Sequence, residues 1–202
     1  MSFVRPFRPG DEPALGEICV RTADAGDDAS GLLADDAIWP AIFVWPYVAH
    51  DPDTAFVVEA DDGRVVGYIV ATVDTDAFGQ WFRTRWWPPY ASRWPLSATT
   101  PARDADLLGY AAARGSAPDR LQAQGYSAHL HIDLLPELQG QGWGRRLIGT
   151  LVEHLRGRGV TGIQLTASAD NHGAAAFYPR VGFDPLASDD GGRSFGLRLV
   201  SG

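Results

Sequence analysis

The stretch 129–156, HLHIDLLPELQGQGWGRRLIGTLVEHLR, decides the fold. His129 to Leu134 alternates polar and apolar residues at the two-residue period of a strand. Leu147, Ile148, Leu151, Val152 and Leu155 recur at helical spacing, so Gly144 to Arg156 reads as an amphipathic helix closed by Gly159. Between them lies a glycine-rich turn, Gln139-Gly140-Gln141-Gly142-Trp143-Gly144. A strand that passes through such a turn into a helix makes an anion site. The first amides of the helix have no intrahelical partner, point one way and share the positive end of the dipole. Gly140, Gly142 and Gly144 let the backbone approach a pyrophosphate with no side chain between. Arg145 and Arg146 stand in the first turn, where cations are unfavourable unless an anion offsets them. The plain alternative is a glycine-rich connection with no ligand.

On either side of this unit the chain reads as a mixed α/β sheet protein. Phe3-Val4-Arg5-Pro6 is a short strand, and Asp11-Glu12-Pro13 starts a helix carrying Leu15, Ile18 and Cys19. Asp24 to Asp36 is acidic and reads as a loop. Ile38 to Tyr47 reads as an apolar helix interrupted by Pro40 and Pro46. Phe56 to Glu59 and Val65 to Val70 flank the turn Asp61-Asp62-Gly63, a hairpin signal. From Asp74 to Gly125 Trp81, Phe82, Trp86, Trp87, Tyr90 and Trp94 crowd together, followed by helix-like segments near Leu107–Arg114 and Asp119–Gln124. Gly162 to Thr166 reads as a strand, Asn171 to Arg180 as a helix, and Phe195 to Leu199 as a last strand.

Two nucleotide motifs compare poorly with the turn. A P-loop ends in Gly-Lys-Ser/Thr, and this chain contains no Lys. A dinucleotide fingerprint stands early in a βαβ unit with an acidic residue about 20 positions on. Here the turn follows a hairpin and a long insertion, and Gln164 to Thr166 offers no acid.

Gln139-x-x-Gly142-x-Gly144 resembles the Arg/Gln-x-x-Gly-x-Gly/Ala signature of the N-acetyltransferase (GNAT) family. Further on, Asn171-x-x-x-Ala175-x-Phe177-Tyr178-x-x-x-Gly182-Phe183 looks like the same family's second motif. The resemblance implies one domain over 1–202 with an acyl-coenzyme A N-acyltransferase fold. That fold is a mostly antiparallel sheet splayed at its centre and flanked by helices, here with an aromatic-rich helical insertion at about 75–125. It implies that Leu134, with Leu135 beside it, bonds the pantetheine arm of acetyl-CoA through the backbone. Amides of Gln139, Gly140, Gln141, Gly142, Trp143, Gly144 and Arg145 would take the pyrophosphate. Asn171 would contact the pantetheine region, Phe177 and Tyr178 would line the thiol side, and Arg180 would reach the adenosine phosphate. A fainter resemblance, through Arg5-Pro6, Ile18-Cys19, Gly67-Tyr68 and Thr72 to Thr75, links the chain to the acetyltransferase-like domain of animal O-GlcNAc hydrolases. The chain would be a free-standing bacterial relative, and unlike the animal domain it keeps the glycine loop intact.

Acetyl transfer to an amine needs a neutral amine, a polarised thioester and a proton for the leaving thiolate. Tyr178 is the candidate general acid, its phenol having an ordinary pKa of about 10; it could equally be an anchored core tyrosine. Asp133, His131 and His129 share one strand face. Ionisable groups there are costly unless that face meets a cleft. Asp133, nearest the strand end, is the first choice as base and His131 the second. Structural hydration of all three is the competing reading, and a metal is disfavoured for want of a fourth ligand. The aromatic insertion reads either as core or dimer interface, or as an acceptor-binding wall.

The formal charge of −8 argues against general nucleic-acid binding. No apolar run approaches the roughly 20 residues of a membrane span, no signal peptide is evident, and the single Cys19 suits a reducing compartment. The expectation is a cytoplasmic acetyl-CoA-dependent acetyltransferase acting on a small-molecule or peptide acceptor. It would use no metal and could form a homodimer. The alternative is a coenzyme-binding recognition module without turnover.

Overall fold

The computed structural model describes residues 2–187 and 192–199. Its strands are β1 (Phe3–Pro6), β2 (Phe56–Glu59), β3 (Val65–Thr72), β4 (Ala128–Leu134), β5 (Gly162–Ser168), β6 (Asp184–Pro185) and β7 (Gly192–Arg198). They form one sheet in the order β1-β2-β3-β4-β5-β7-β6. Every pairing is antiparallel except that of β4 with β5.

That parallel pair positions the site. β4 pairs with β3 along its length, from Gly67↔Leu134 to Thr72↔His129. It meets β5 only at Ala128↔Ile163 and His129↔Gln164. Beyond His129 the two strands part, so the sheet opens into a V near its middle. A parallel connection needs a crossover, and the helix α7 (Trp143–Gly157) supplies it, with Leu147, Leu151 and Leu155 fully buried.

Both faces of the sheet are covered. The Leu134 side faces α7, because a Cβ placed on Gly144 would lie 3.6 Å from Leu134 Cδ1. The opposite face, carrying Tyr68, His129, His131 and Asp133, packs under α1 (Glu12–Val20), α2 (Ile38–Phe43) and α3 (Trp45–His50). The expected interruption of the apolar segment 38–47 is a break at Val44, whose φ of −135° separates α2 from α3. Pro46 then sits in the first turn of α3, where its missing N–H costs nothing.

The insertion is more helical than its prolines suggest. It contains α4 (Thr75–Trp81), a π-helical turn at Phe82–Trp86, α5 (Trp87–Arg93) and α6 (Ala102–Ala113). Asp74 caps α4 by accepting from Ala77 N at 3.0 Å. The two readings of its aromatics divide between different residues. Tyr90 stacks on Trp94 and on the buried Trp87 and packs tilted against Trp86, and Trp94 also meets Trp87. Trp86 Nε1 donates to Ala41 O at 2.8 Å and Trp94 Nε1 to Asp35 Oδ2 at 3.0 Å, which fixes these partly buried rings against α2 and the turn before it. The insertion residues that line the cavity at the V include Thr75, Asp76, Tyr110, Arg114 and Asp119. The short β6 and the turns α4 and α5 were not legible as elements in the sequence. The last helix, α8, spans His172–Arg180.

Candidate active site

The turn between β4 and α7 presents backbone. Gly140 and Gly142 have φ of +72° and +82°, a conformation glycine enters without strain. The neighbouring side chains fold backwards: Gln139 Nε2 donates to Leu134 O at 3.3 Å and Gln141 Nε2 to Glu137 O at 2.5 Å. The amides of Gly140, Gln141 and Gly142 donate to no backbone carbonyl among the described residues. Trp143, Gly144 and Arg145 follow as the first turn of α7, whose amides lack intrahelical acceptors. Arg145 Nη2 bonds Arg180 O at 2.7 Å, tying α7 to α8, while the guanidinium of Arg146 lies 4.5 Å from the Trp143 ring centroid.

From this turn a cleft of about 710 Å³ runs through the V to α8. It brings together Asp133, Leu134, Gln139, Gly140, Gly142, Trp143, Gly144, Arg145, Asn171, Phe177, Tyr178 and Arg180. Leu135 and Gln141 are not among its lining residues. Leu135 is buried and its amide is spent on Val66 O at 3.1 Å. Asn171 caps α8 by accepting from Ala174 N at 2.8 Å, so the cap and the cleft wall are one residue. The sequence reading missed Thr22, Gly26 and Asp27, which bring the loop after α1 to the cleft. Its one local signal is Gly26, with φ +103°.

Two titratable groups meet at the deep end of the cleft. Tyr178 is buried, and its hydroxyl has no hydrogen-bond partner among the described residues. Burial raises its pKa, and the nearby Asp133 charge raises it further, so it stays a phenol at neutral pH. Burial pushes the Asp133 carboxyl up to about 6, against the opposing hydrogen bonds from Tyr68 and Thr22. The Tyr68 hydroxyl, itself raised by burial and by Asp133, is the donor to Asp133 Oδ2.

His131 stands elsewhere. It lines a second cavity of about 330 Å³, between the narrow end of the V and the insertion. Its Nε2 lies 2.9 Å from the Tyr47 hydroxyl, and His129 Nε2 lies 2.6 Å from the same oxygen. His129 Nδ1 is 2.9 Å from Thr75 Oγ1. Burial, and then the Arg114 charge, push His131 down to about 3 and His129 well below its ordinary range. Both imidazoles are therefore neutral, and His131 is too weak a base to compete with Asp133. Both Nε2 atoms converge on a phenol, and no grouping of three His, Cys, Asp or Glu side chains suits a metal ion among the described residues.

A splayed β4–β5 pair with an amide-lined turn at its mouth agrees with the match of residues 26–183 to the acetyltransferase (GNAT) family. The chain belongs to this family. Among solved structures, one named SsHAT shares 38% identity over 99% of each chain with a TM-score of 0.89. Mycothiol acetyltransferase of Streptomyces coelicolor is 28% identical over 173 residues, 85% of this chain and 45% of that protein. Rat protein O-GlcNAcase is 23% identical over 195 residues, 93% of this chain and 20% of that protein. The chain thus spans less than half the length of these two curated relatives, and the second match agrees with the fainter resemblance drawn from the sequence. Among the described residues no helix is long and apolar enough to cross a membrane.

Proposed function

We propose that the 710 Å³ cleft binds acetyl-CoA and that this acetyltransferase moves the acetyl group directly to an amine. One observation carries the reading. A single cleft has unpartnered amides at one end and, at the other, an unpartnered phenol beside a carboxylate of raised pKa. The turn 140–145 would hold the pyrophosphate, with Arg145 and Arg180 at the anionic end. The pantetheine arm would enter the V beside Leu134 and Asn171, which brings the thioester to Tyr178.

Each proton then has a place. Asp133 accepts one from the acceptor's ammonium, a transfer helped by a pKa lifted towards neutrality. The free amine attacks the thioester carbonyl, the new C–N bond forms, and the C–S bond breaks. Tyr178 donates its phenolic proton to the departing thiolate and recovers the second proton that the nitrogen sheds as the C–N bond forms. Holding both substrates in the V supplies the remaining advantage, since orientation alone removes much of the barrier.

Steady-state release of coenzyme A thiol across a panel of amines tests this reading, with calorimetry of acetyl-CoA binding beside it. Turnover that needs Tyr178 supports it. Tight coenzyme binding with no turnover on any amine would favour a recognition module, and absence of coenzyme binding would sink both.

A further inference from the structure

Arg114, a cation in the wall of the 330 Å³ cavity, has no carboxylate bonded to it among the described residues. Arg114 lies between rings, its guanidinium carbon 4.9 Å from the centroids of Phe78 and of Phe82. It donates to Ile42 O at 2.9 Å, to the Tyr47 hydroxyl, and to His129 Nε2 at 3.1 Å. None of these partners carries a negative charge. Burial raises the pKa of Tyr47, so it stays a phenol, and His129 is neutral. Three contacts leave part of the guanidinium's five-donor fork unspent. Arg114 is half-buried in the cavity wall, so an anion entering the cavity meets a cation with donors to spare.

The carboxylates in the same cavity are committed elsewhere. Asp76 Oδ1 accepts from Asp119 N at 2.6 Å, and Asp119 Oδ1 accepts from Gln122 N at 2.7 Å and Gln164 Nε2 at 3.2 Å. Arg120 turns away to Ala187 O at 2.7 Å. Among the described residues, no carboxylate bonds Arg114. The cavity's far wall is Leu130 and His131 on β4 and Leu165 and Thr166 on β5, the residues at which the strands part. A molecule seated there would reach towards the V.

We propose that this cavity is the acceptor pocket and that Arg114 holds a carboxylate of the acceptor, making the substrate a small amine of the amino-acid type. The assignment rests on the acetyl-transfer reading for the amine, whereas capture of the carboxylate is a binding property of its own. The volume lies at the low end of small-molecule sites, roughly 300–1,000 Å³. The imidazole of His131 is neutral and adds no second cation beside Arg114.

The probes are the proteinogenic L-amino acids, each paired with its α-carboxamide, tested by calorimetry with and without coenzyme A. The expected result is at least one acid binding about tenfold or more tightly than its amide, as a charge-assisted bond requires. Arg114→Gln should reduce that ratio to about twofold. Because Arg114 also packs core rings, Ala117→Trp serves as the second variant, since Ala117 is exposed at the cavity rim. It should abolish acid binding while acetyl-CoA affinity stays within about twofold. Equal binding of acids and amides, no binding of any acid, or a ratio that survives in Arg114→Gln would each overturn the proposal. Failure of wild-type protein to bind acetyl-CoA would sink the acetyl-transfer reading and leave the carboxylate comparison intact.

Discussion

A Cβ placed on Gly144 would lie 2.9 Å from Cζ of Phe177. These residues belong to the two separate motifs of the sequence, one opening α7 and the other on α8, and they meet across the cleft. The glycine at this position is therefore a packing requirement. Gly144→Ala should cost about 1–3 kcal/mol through overpacking and weaken acetyl-CoA binding. Phe177→Leu in the same chain should restore most of the stability. Urea unfolding of the two single variants and the double variant checks it; strict additivity would show that positions 144 and 177 do not couple.

Tyr178 is buried, with a hydroxyl free of described partners. Tyr178→Phe removes only that oxygen, so coenzyme affinity should stay within about twofold. Turnover should fall by about 10²–10⁴-fold, the range of a lost general acid. Full activity in Tyr178→Phe would remove the residue from the proton path.

Asp133 must be ionised to accept a proton, and burial holds it near a pKa of about 6. kcat/KM should therefore be level above that pH and drop about tenfold per unit below it. Asp133→Asn should abolish both the rate and the titration. An acid limb that persists unchanged in this variant would point to another group.

His129 and His131 are held neutral in the folded chain, His131 at about 3. Unfolded, each returns to an ordinary value near 6.5 and binds a proton that the folded chain refuses. Stability should thus be constant above about pH 6.5 and decline as pH falls from there towards 3. Asp133, with its raised pKa, acts with the opposite sign and offsets part of the loss between about pH 6 and 4. Denaturant midpoints at pH 7.5 and 5.5 should separate clearly, and the gap should narrow in His131→Gln.

The α7 unit was legible from one dimension because its determinants are local. Apolar residues at helical spacing and a glycine-rich start specify a strand, a turn and a helix without reference to the rest of the chain. Asn171 was legible as a helix start for the same reason, its side chain reaching only to Ala174. Where a contact depended on residues distant in sequence, the reading stopped at alternatives. His131 and Asp133 are two residues apart on one strand face, yet they serve different cavities. Which side chains from elsewhere in the chain line each cavity separates them.

The chain's own order of residues determined the family motifs, the glycine-rich turn and the candidate acid and base, since each is written in neighbouring positions. Tertiary structure decided the rest. Thr22, Gly26 and Asp27 reach the cleft only because α1 lies across the sheet. Leu135 leaves it because its amide pairs with Val66. The carboxyl of Asp133 rises and the imidazole of His131 falls by the same leading cause, the removal of water by elements far away in the sequence. Desolvation is a property of the packed surroundings, and no local pattern encodes it.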